Sequence, residues 1–248
     1  MAREGYRSGM EKYDFSFTSI SRIILLFLIP FTAYSLGLLP CFASFIFFYR
    51  FFDFGNVLHI IIFPFFLVAE FLLFIVCESI VPGIFIKIFR IRCEEGEHEL
   101  SIKDKNFFKL ALHAMLYRPP LMLLAIFKLL PLRMLFLKLA GLKIGKTSLI
   151  PGTEIIYDPY VTEIGEQTLL GGYVKIAGHV VEDKLIIKKV KIGNNCLIGL
   201  DTVIFPGAVI EDDVTIGAKS LVLKNQVLKK GKMYGGVPAK EIGEKRER

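Results

Sequence analysis

The sequence predicts a mainly β chain, a parallel β-helix of hexapeptide repeats, preceded by an α-helical membrane region. The first observation is a period of six residues between positions 144 and 228, where an aliphatic side chain recurs and is often followed by glycine. Such a period is typical of a parallel β-helix, in which each six forms a short strand and a turn and three sixes complete a coil. The second observation is the composition: 53% of the 248 residues are hydrophobic and 23 are phenylalanine. This content is high for a soluble protein and indicates membrane segments.

The recurring aliphatic residues are predicted to point into the β-helix. They are Ile144, Ile150, Ile156, Ile164, Leu170, Ile176, Ile192, Ile198, Ile204, Ile210, Ile216, Val222 and Leu228. Cys196 occupies a second inward position, where the other repeats carry small or β-branched residues. We therefore expect Cys196 to be a small core residue.

The repeat is interrupted twice. Two extra residues follow Ile156, around Asp158, and sixteen residues separate Ile176 from the next aliphatic position. We interpret the sixteen as one repeat plus ten extra residues, so that the faces of the coils stay in phase and residues 182–191 form a lateral loop. His179, the only histidine of the repeat, immediately precedes this loop. Because loops on a rigid repeat scaffold commonly carry function, we expect the site here.

Four motifs of this region resemble those of the hexapeptide-repeat acyltransferases, which include maltose, xenobiotic and serine acetyltransferases. They are Gly178-His179, VKIGNNCLIG at 190–199, the pair of segments 204–210 and 216–224, and GGVPAK at 235–240. The resemblance implies a left-handed β-helix, acyl transfer from acyl-CoA, and a homotrimer with the CoA arm in a groove between neighbouring subunits. Residues 137–145 are also similar, more weakly, to the membrane-attached terminal modules of some peptide synthetases.

The resemblance implies that His179 is the general base and that a carboxylate orients its second ring nitrogen. Transfer to a hydroxyl or amine requires removal of a proton, and histidine is the side-chain type best suited to this near neutral pH. Glu182 and Asp183 lie close to the histidine in sequence, whereas Asp158 lies about one coil earlier on the same face. The sequence leaves all three open; Asp158 is preferred, because stacked coils bring such positions together.

The resemblance also implies where the donor, acetyl-CoA or another acyl-CoA, binds. The matching positions are Gly199, Gly217, Ala218, Ser220, Lys224, Pro238 and Lys240. Either lysine fits a contact with CoA phosphates, and each alone fits a solvated surface charge equally well. No metal is expected, because the four cysteines show neither metal-ligand nor disulfide spacing.

Residues 1–92 are predicted to contain two membrane-spanning helices. Residues 23–49 carry no charge, and residues 57–77 carry one acid, Glu70. At about 1.5 Å per residue the first run is long enough for a hydrocarbon core of ~30 Å. Basic residues flank the pair on both outer sides, which predicts cytoplasmic termini and a cytoplasmic β-helix at the cell membrane. Glu70 is a functional candidate, or else an acid that is protonated or faces another helix or water.

Residues 93–141 are predicted to connect the membrane region to the β-helix domain, residues 142–248. A helix is expected from Phe107 to Tyr117, where the following Arg-Pro-Pro would end it. Residues 121–140 are predicted to form a basic amphipathic helix in the membrane interface, with a third span or a helix packed on the β-helix as alternatives.

Together these expectations predict a membrane-bound, acyl-CoA-dependent O- or N-acetyltransferase whose acceptor is a sugar, a lipid-linked molecule or an amino-acid derivative. One alternative is a non-catalytic, membrane-anchored β-helix scaffold. Another is a carbonic-anhydrase-like metal enzyme, which requires several histidines around its site. No nucleic-acid-binding motif is present, and the formal net charge of +7 fits contact with an anionic membrane surface.

Overall fold

The computed structural model describes residues 16–244, in which four helices precede a three-sided β-helix. The first two helices are long, α1 (Phe17–Tyr49) and α2 (Val57–Ile88). A short strand, β1 (Gly96–His98), separates them from α3 (Lys105–Ile126) and α4 (Leu130–Leu139).

Sixteen further strands follow in the described part of the chain, and most contain two or three residues. In chain order they are β2 (Lys143–Ile144), β3 (Ile155–Ile156), β4 (Thr162–Ile164), β5 (Leu169–Leu170), β6 (Lys175–Ile176), β7 (His179–Val181), β8 (Leu185–Ile187), β9 (Val190–Ile192), β10 (Leu197–Ile198), β11 (Val203–Ile204), β12 (Val209–Ile210), β13 (Thr215–Ile216), β14 (Leu221–Val222), β15 (Val227–Leu228), β16 (Lys232–Gly235) and β17 (Lys240–Glu244).

The strands stack in parallel on three faces, which confirms the predicted parallel β-helix. The first face contains β2, β4, β9, β12 and β15, the second contains β5, β10, β13 and β16, and the third contains β3, β6, β11 and β14. The aliphatic column faces inward and is buried from Ile156 to Leu228, and Cys196 is buried with it. Ile144 and Ile150 are only partly buried, because they belong to the first coil, which has no coil above it.

The interruptions leave the coils in register, as predicted. Ile176 pairs with Ile204, 28 residues later, whereas Ile204 pairs with Val222, 18 residues later. The difference is the ten extra residues. They do not form a loop over 182–191: β7 and β8 make an antiparallel hairpin that begins at His179, and β1 adds a third strand to it. Residues 190–192 already belong to the next coil.

Helix α3 continues through Pro119 and Pro120 to Ile126, so the predicted end at Tyr117 was wrong. A proline within a helix lacks the N–H that would bond the carbonyl four residues earlier. For Pro119 this is the carbonyl of Met115, and the hydroxyl of Tyr34 on α1 donates to it at 2.8 Å. A tertiary contact thus satisfies the group that the proline leaves free.

Helix α4 packs on the first coil, which is the arrangement named above as an alternative to an interfacial helix. Arg133 and Glu154 are both buried, and Arg133 Nε donates to Glu154 Oε1 at 2.9 Å. Further guanidinium hydrogen bonds reach the Glu154 carbonyl at 2.6 Å and the Leu121 carbonyl at 3.1 Å. Arg133, one of the basic residues of the segment 121–140, therefore holds the helices to the β-helix. Membrane-interface contact by 121–140 stays a prediction.

Helices α1 and α2 are long and apolar enough to cross a membrane. Most of their large apolar side chains are exposed, which is the distribution expected where lipid surrounds the helices. Glu70 faces α1, since Ser44 Oγ donates to Glu70 Oε1 at 2.6 Å. This contact corresponds to the structural interpretation of Glu70, an acid turned toward another helix.

Candidate active site

Asp158 and His179, predicted to lie one coil apart, are in direct contact. His179 Nδ1 lies 2.7 Å from Asp158 Oδ2. Asp158 follows β3 at the first interruption, next to a single 3₁₀ turn (Pro159–Val161), and His179 opens the hairpin at the same corner of the next coil. Gly178 makes this approach possible, because a Cβ there would lie 2.3 Å from Val161 Cγ2.

The carboxylate of Asp158 is fully buried and receives three hydrogen bonds. Besides the imidazole, the backbone N–H of Gly178 donates to Oδ2 at 2.8 Å and the hydroxyl of Tyr160 donates to Oδ1 at 3.2 Å. These partners fix the carboxylate, which in turn orients the ring of His179. Because the carboxylate accepts from Nδ1, Nε2 is left as the nitrogen that can take a proton. The His179 side chain is 21% exposed and is therefore accessible to a substrate.

The pair lies at a pocket of about 200 Å³ whose opposite wall is helix α3. The apolar residues of that wall are Phe107, Leu110, Ala111 and Ala114, and its polar residues are His113, Tyr117 and Arg118. Tyr157, Asp158 and His179 complete the lining from the β-helix. Sequence reasoning missed the contribution of α3, because no periodicity relates a helix around residue 113 to β-helix residues that follow it by more than 40 positions.

His113, which lies outside the repeat, also lines the pocket. Its side chain is buried between the rings of Tyr117 and Tyr160, each 4.9 Å away between centroids. Burial lowers its pKa to about 4, although the nearby Asp158 acts in the opposite direction. The imidazole is therefore neutral at physiological pH, and its Nε2 is buried without a hydrogen-bond partner in the described part of the chain.

The other two candidate acids are not brought to the histidine. Glu182 lies in the exposed turn of the hairpin and forms an ion pair with Lys224. Asp183 is exposed in the same turn. Within residues 16–244 neither acid forms a hydrogen bond or ion pair with His179, so the structure gives Glu182 no support as a catalytic residue. Lys224, named for CoA phosphates, contacts this hairpin instead.

Most of the predicted CoA positions are contiguous. Gly199 and Gly217 stack at one corner, where a Cβ on Gly199 would lie 2.4 Å from the backbone nitrogen of Ala218. Ser220 Oγ donates to the Gly217 carbonyl at 2.6 Å and accepts from Gly236 N–H at 3.3 Å. The latter contact joins this corner to the closing segment that contains Pro238 and Lys240. A role of these residues in CoA binding stays a prediction.

The described residues contain no group of three or more His, Cys, Asp or Glu side chains that could hold a metal ion. The chemistry available at the pocket is proton transfer by an imidazole that a buried carboxylate supports.

Comparison with known proteins gives a match within the repeat region. Residues 189–222 match the model of the family described as hexapeptide repeat of succinyl-transferase, in agreement with the coils seen there. No curated protein matches the chain significantly in sequence.

Similar solved structures are sugar acetyltransferases and related enzymes. Maltose O-acetyltransferase from Clostridium difficile 630 is 19% identical over 53% of this chain and 87% of its own, with a TM-score of 0.40. A galactoside acetyltransferase in complex with coenzyme A is 22% identical over 55% and 82%, with a TM-score of 0.44. The N-acyltransferase AntD from Bacillus cereus, with dTDP and 3-hydroxybutyryl-CoA, is 21% identical over 46% and 88%, with a TM-score of 0.30. At these values the function must be argued from the geometry of this chain.

Proposed function

We propose that the protein is a membrane-bound acyltransferase that moves an acetyl group from acetyl-CoA to a hydroxyl or amine. The observation that carries the proposal is the Asp158–His179 pair at 2.7 Å, with an accessible imidazole beside a pocket. An imidazole that a buried carboxylate orients is the arrangement required of a general base. The hexapeptide-repeat match and the motifs around it select acyl-CoA as the donor class.

The proposed reaction begins when His179 Nε2 takes the proton of the acceptor hydroxyl or amine. The acceptor oxygen or nitrogen then attacks the thioester carbonyl carbon, and the carbon–sulfur bond breaks as the tetrahedral intermediate collapses. The leaving thiolate receives a proton from the imidazolium, which gives free CoA and returns the histidine to its neutral form. Asp158 stabilises the imidazolium during this cycle, because the buried carboxylate remains in contact with Nδ1.

The corner formed by Gly199, Gly217, Ala218 and Ser220 is the proposed site of the CoA arm, with Pro238 and Lys240 from the closing segment. Glycines at this corner let neighbouring backbones approach closely. Lys240 is exposed and free to meet a phosphate. Lys224 would have to leave Glu182 to do so.

Two features support anchoring and orientation. Helices α1 and α2 expose apolar side chains along lengths of 33 and 32 residues, which fits two membrane spans. Basic residues lie at the two outer ends of the pair, Arg22 near the start of α1 and Lys87 to Arg92 at and just beyond the end of α2. We propose that both ends and the β-helix are cytoplasmic, where acetyl-CoA is available.

A reporter fused to the C-terminus should be active only in its cytoplasmic form, and an outward C-terminus would refute this orientation.

A homotrimer is proposed from an apolar ladder on the second face. Leu149, Leu169 and Leu197 are exposed and lie directly above one another in consecutive coils. Such a stacked apolar strip on a flat face is a natural contact between copies. Light scattering of detergent-solubilised protein should give a trimer mass, and Leu169→Glu should reduce it. A wild-type monomer with full activity would exclude the trimer as the working unit.

The central test is acyl transfer by the purified full chain with labelled acetyl-CoA and a membrane extract as acceptor. His179→Ala should lower turnover by about 100- to 10,000-fold, which is the usual contribution of a general base. Acetyl-CoA binding should persist. His59→Ala, which removes an imidazole from the first turn of α2, away from the pocket, is the matched control. Near-normal turnover in His179→Ala would reject the base assignment, and no transfer by the wild type to any component would favour the scaffold alternative.

A further inference from the structure

Helix α3 connects the pocket to the helices that are proposed to span the membrane. Ala114, Arg118, Met122 and Ile126 are spaced by four residues and therefore share one face of this helix. The first two line the pocket. Met122 and Ile126 lie beyond it and are 65% and 70% exposed. Just after Ile126, the ring of Phe127 packs against Phe71 of α2 at 5.2 Å between centroids. One continuous strip, defined here as the α3 stripe, thus runs from the catalytic pair toward α2.

Arg118 places a permanent positive charge at the pocket end of the α3 stripe. It is exposed, and its guanidinium lies 5.8 Å from the centroid of the Tyr157 ring. Among residues 16–244 the structure shows no carboxylate paired with it. A planar guanidinium fixed against an aromatic ring beside an otherwise largely apolar wall is suited to a phosphate or carboxylate.

His113 supplies an independent indication that a polar ligand group enters the same pocket. Its Nε2 is buried and unpaired, which is unfavourable unless a bound molecule completes the hydrogen bond. The imidazole sits on the same wall as Ala114 and faces the pocket that His179 lines from the other side.

The size of the pocket limits how much of a ligand it can hold. A volume of about 200 Å³ is enough for a small head group. A hydrocarbon chain attached to such a head group must lie outside the pocket. Met122 and Ile126 provide apolar surface in the direction of α2.

We propose that α3 is the acceptor-binding helix and that the acceptor is an anionic amphiphile from the membrane. Its phosphate or carboxylate binds Arg118, its alkyl chain lies along Met122 and Ile126, and its hydroxyl or amine reaches His179. The acceptor role rests on the proposed acyl transfer, whereas the binding of an anionic amphiphile can be measured without it.

The experiment uses the full chain in a neutral detergent and radiolabelled 1-oleoyl lysophosphatidate, which combines one phosphate, one free hydroxyl and one chain. Saturable binding is measured by scintillation proximity. We expect affinity to fall about tenfold in Arg118→Ala, from loss of a charge-assisted hydrogen bond, and about threefold to tenfold in Met122→Ser. Lys105→Ala, on another face of α3, and Leu135→Ser, an exposed apolar residue of α4, are matched controls expected to stay within about twofold.

Competition experiments separate the contribution of the phosphate from that of the alkyl chain. Glycerol 3-phosphate, which has the phosphate alone, and monooleoylglycerol, which has the chain alone, should each displace the probe far less well than unlabelled lipid. Equal displacement by glycerol 3-phosphate would show a site for free anions, and equal displacement by monooleoylglycerol would show a merely apolar surface. Either result, or unchanged affinity in Arg118→Ala, would overturn the proposal.

Acetyl-CoA binding and His179-dependent CoA release are measured on the same preparations. If these fail while lipid binding behaves as expected, the acyltransferase proposal falls and the lipid site stands. If they succeed while the Arg118 and Met122 variants bind lipid like the wild type, the lipid site falls and the acyltransferase proposal stands.

Discussion

The same corner of the β-helix is built in two ways along the chain. In the last coils, the corners after β11 and β14 are short turns with a left-handed residue, Gly207 at a φ of 78° and Asn225 at 57°. In the first coils, the corners after β3 and β6 carry the two interruptions, and there Asp158 meets His179. Both kinds of corner follow the same core. The inward aliphatic residues of the third face, Ile156, Ile176, Ile204 and Val222, stack continuously and are buried. A repeat can thus gain a site by insertion at one corner while its core keeps the register.

The largest expected effect on stability tests the regular coils. Ile204→Ala removes a fully buried side chain from the column and should lower the free energy of unfolding by about 2–5 kcal/mol. His179→Ala should lower it less, by about 1–2 kcal/mol, because the ring is partly exposed but its removal takes one hydrogen bond from the buried Asp158 carboxylate. For both variants, the denaturation midpoint is measured in detergent together with the turnover per folded molecule. A stable Ile204→Ala or an unfolded His179→Ala would remove the distinction between the two regions.

The next effect concerns the acid within the interrupted corner. Asp158→Asn keeps the shape but removes the charge that stabilises the imidazolium, so turnover should fall by about 10- to 100-fold. Glu182→Gln and Asp183→Asn change exposed residues of the hairpin turn and should stay within about twofold. Initial rates of CoA release measure all three variants. A greater loss in Glu182→Gln than in Asp158→Asn would return the supporting role to the hairpin turn.

The last expected effect is a pH dependence of stability that originates at the interrupted corner, from His113. His113 is neutral in the folded protein, with a pKa lowered to about 4 by burial, whereas an unfolded histidine titrates near 6.5. As pH falls from about 6.5 to about 4, the unfolded chain binds this proton first, so stability falls by up to about 1.4 kcal/mol per pH unit. His113→Phe should remove this part of the dependence. Thermal midpoints at pH 7, 6 and 5 that are parallel in wild type and variant would contradict it.

The repeat, its phase and the Asp158–His179 contact could be predicted because stacking converts a fixed period into spatial neighbours. Proximity in sequence made Glu182 a candidate for the acid that supports His179. In the structure Glu182 lies in the turn of the antiparallel hairpin, where it pairs with Lys224 and not with His179. The helical connector was less predictable. The helix continues past Pro119 with the free carbonyl of Met115 bonded by the hydroxyl of Tyr34, 81 residues before Met115. The position of His113 in the pocket could likewise not be predicted from its own segment, because the opposite wall of the pocket comes from the β-helix.

The buried pair of Arg133 and Glu154 fixes the β-helix relative to the helices that precede it. The Arg133 guanidinium belongs to α4 and binds both α3, at Leu121, and the first coil, at Glu154, so the β-helix cannot rotate freely relative to the helices. Spin labels at Phe65 and Val227, both exposed, should show one narrow distance that broadens in Arg133→Met. In the proposed orientation, with α1 and α2 in the bilayer, the histidine would stand at a constant height above the lipid. An acceptor would then have to carry its reactive group at that height, and molecules with shorter or longer head groups would be excluded by reach rather than by chemistry.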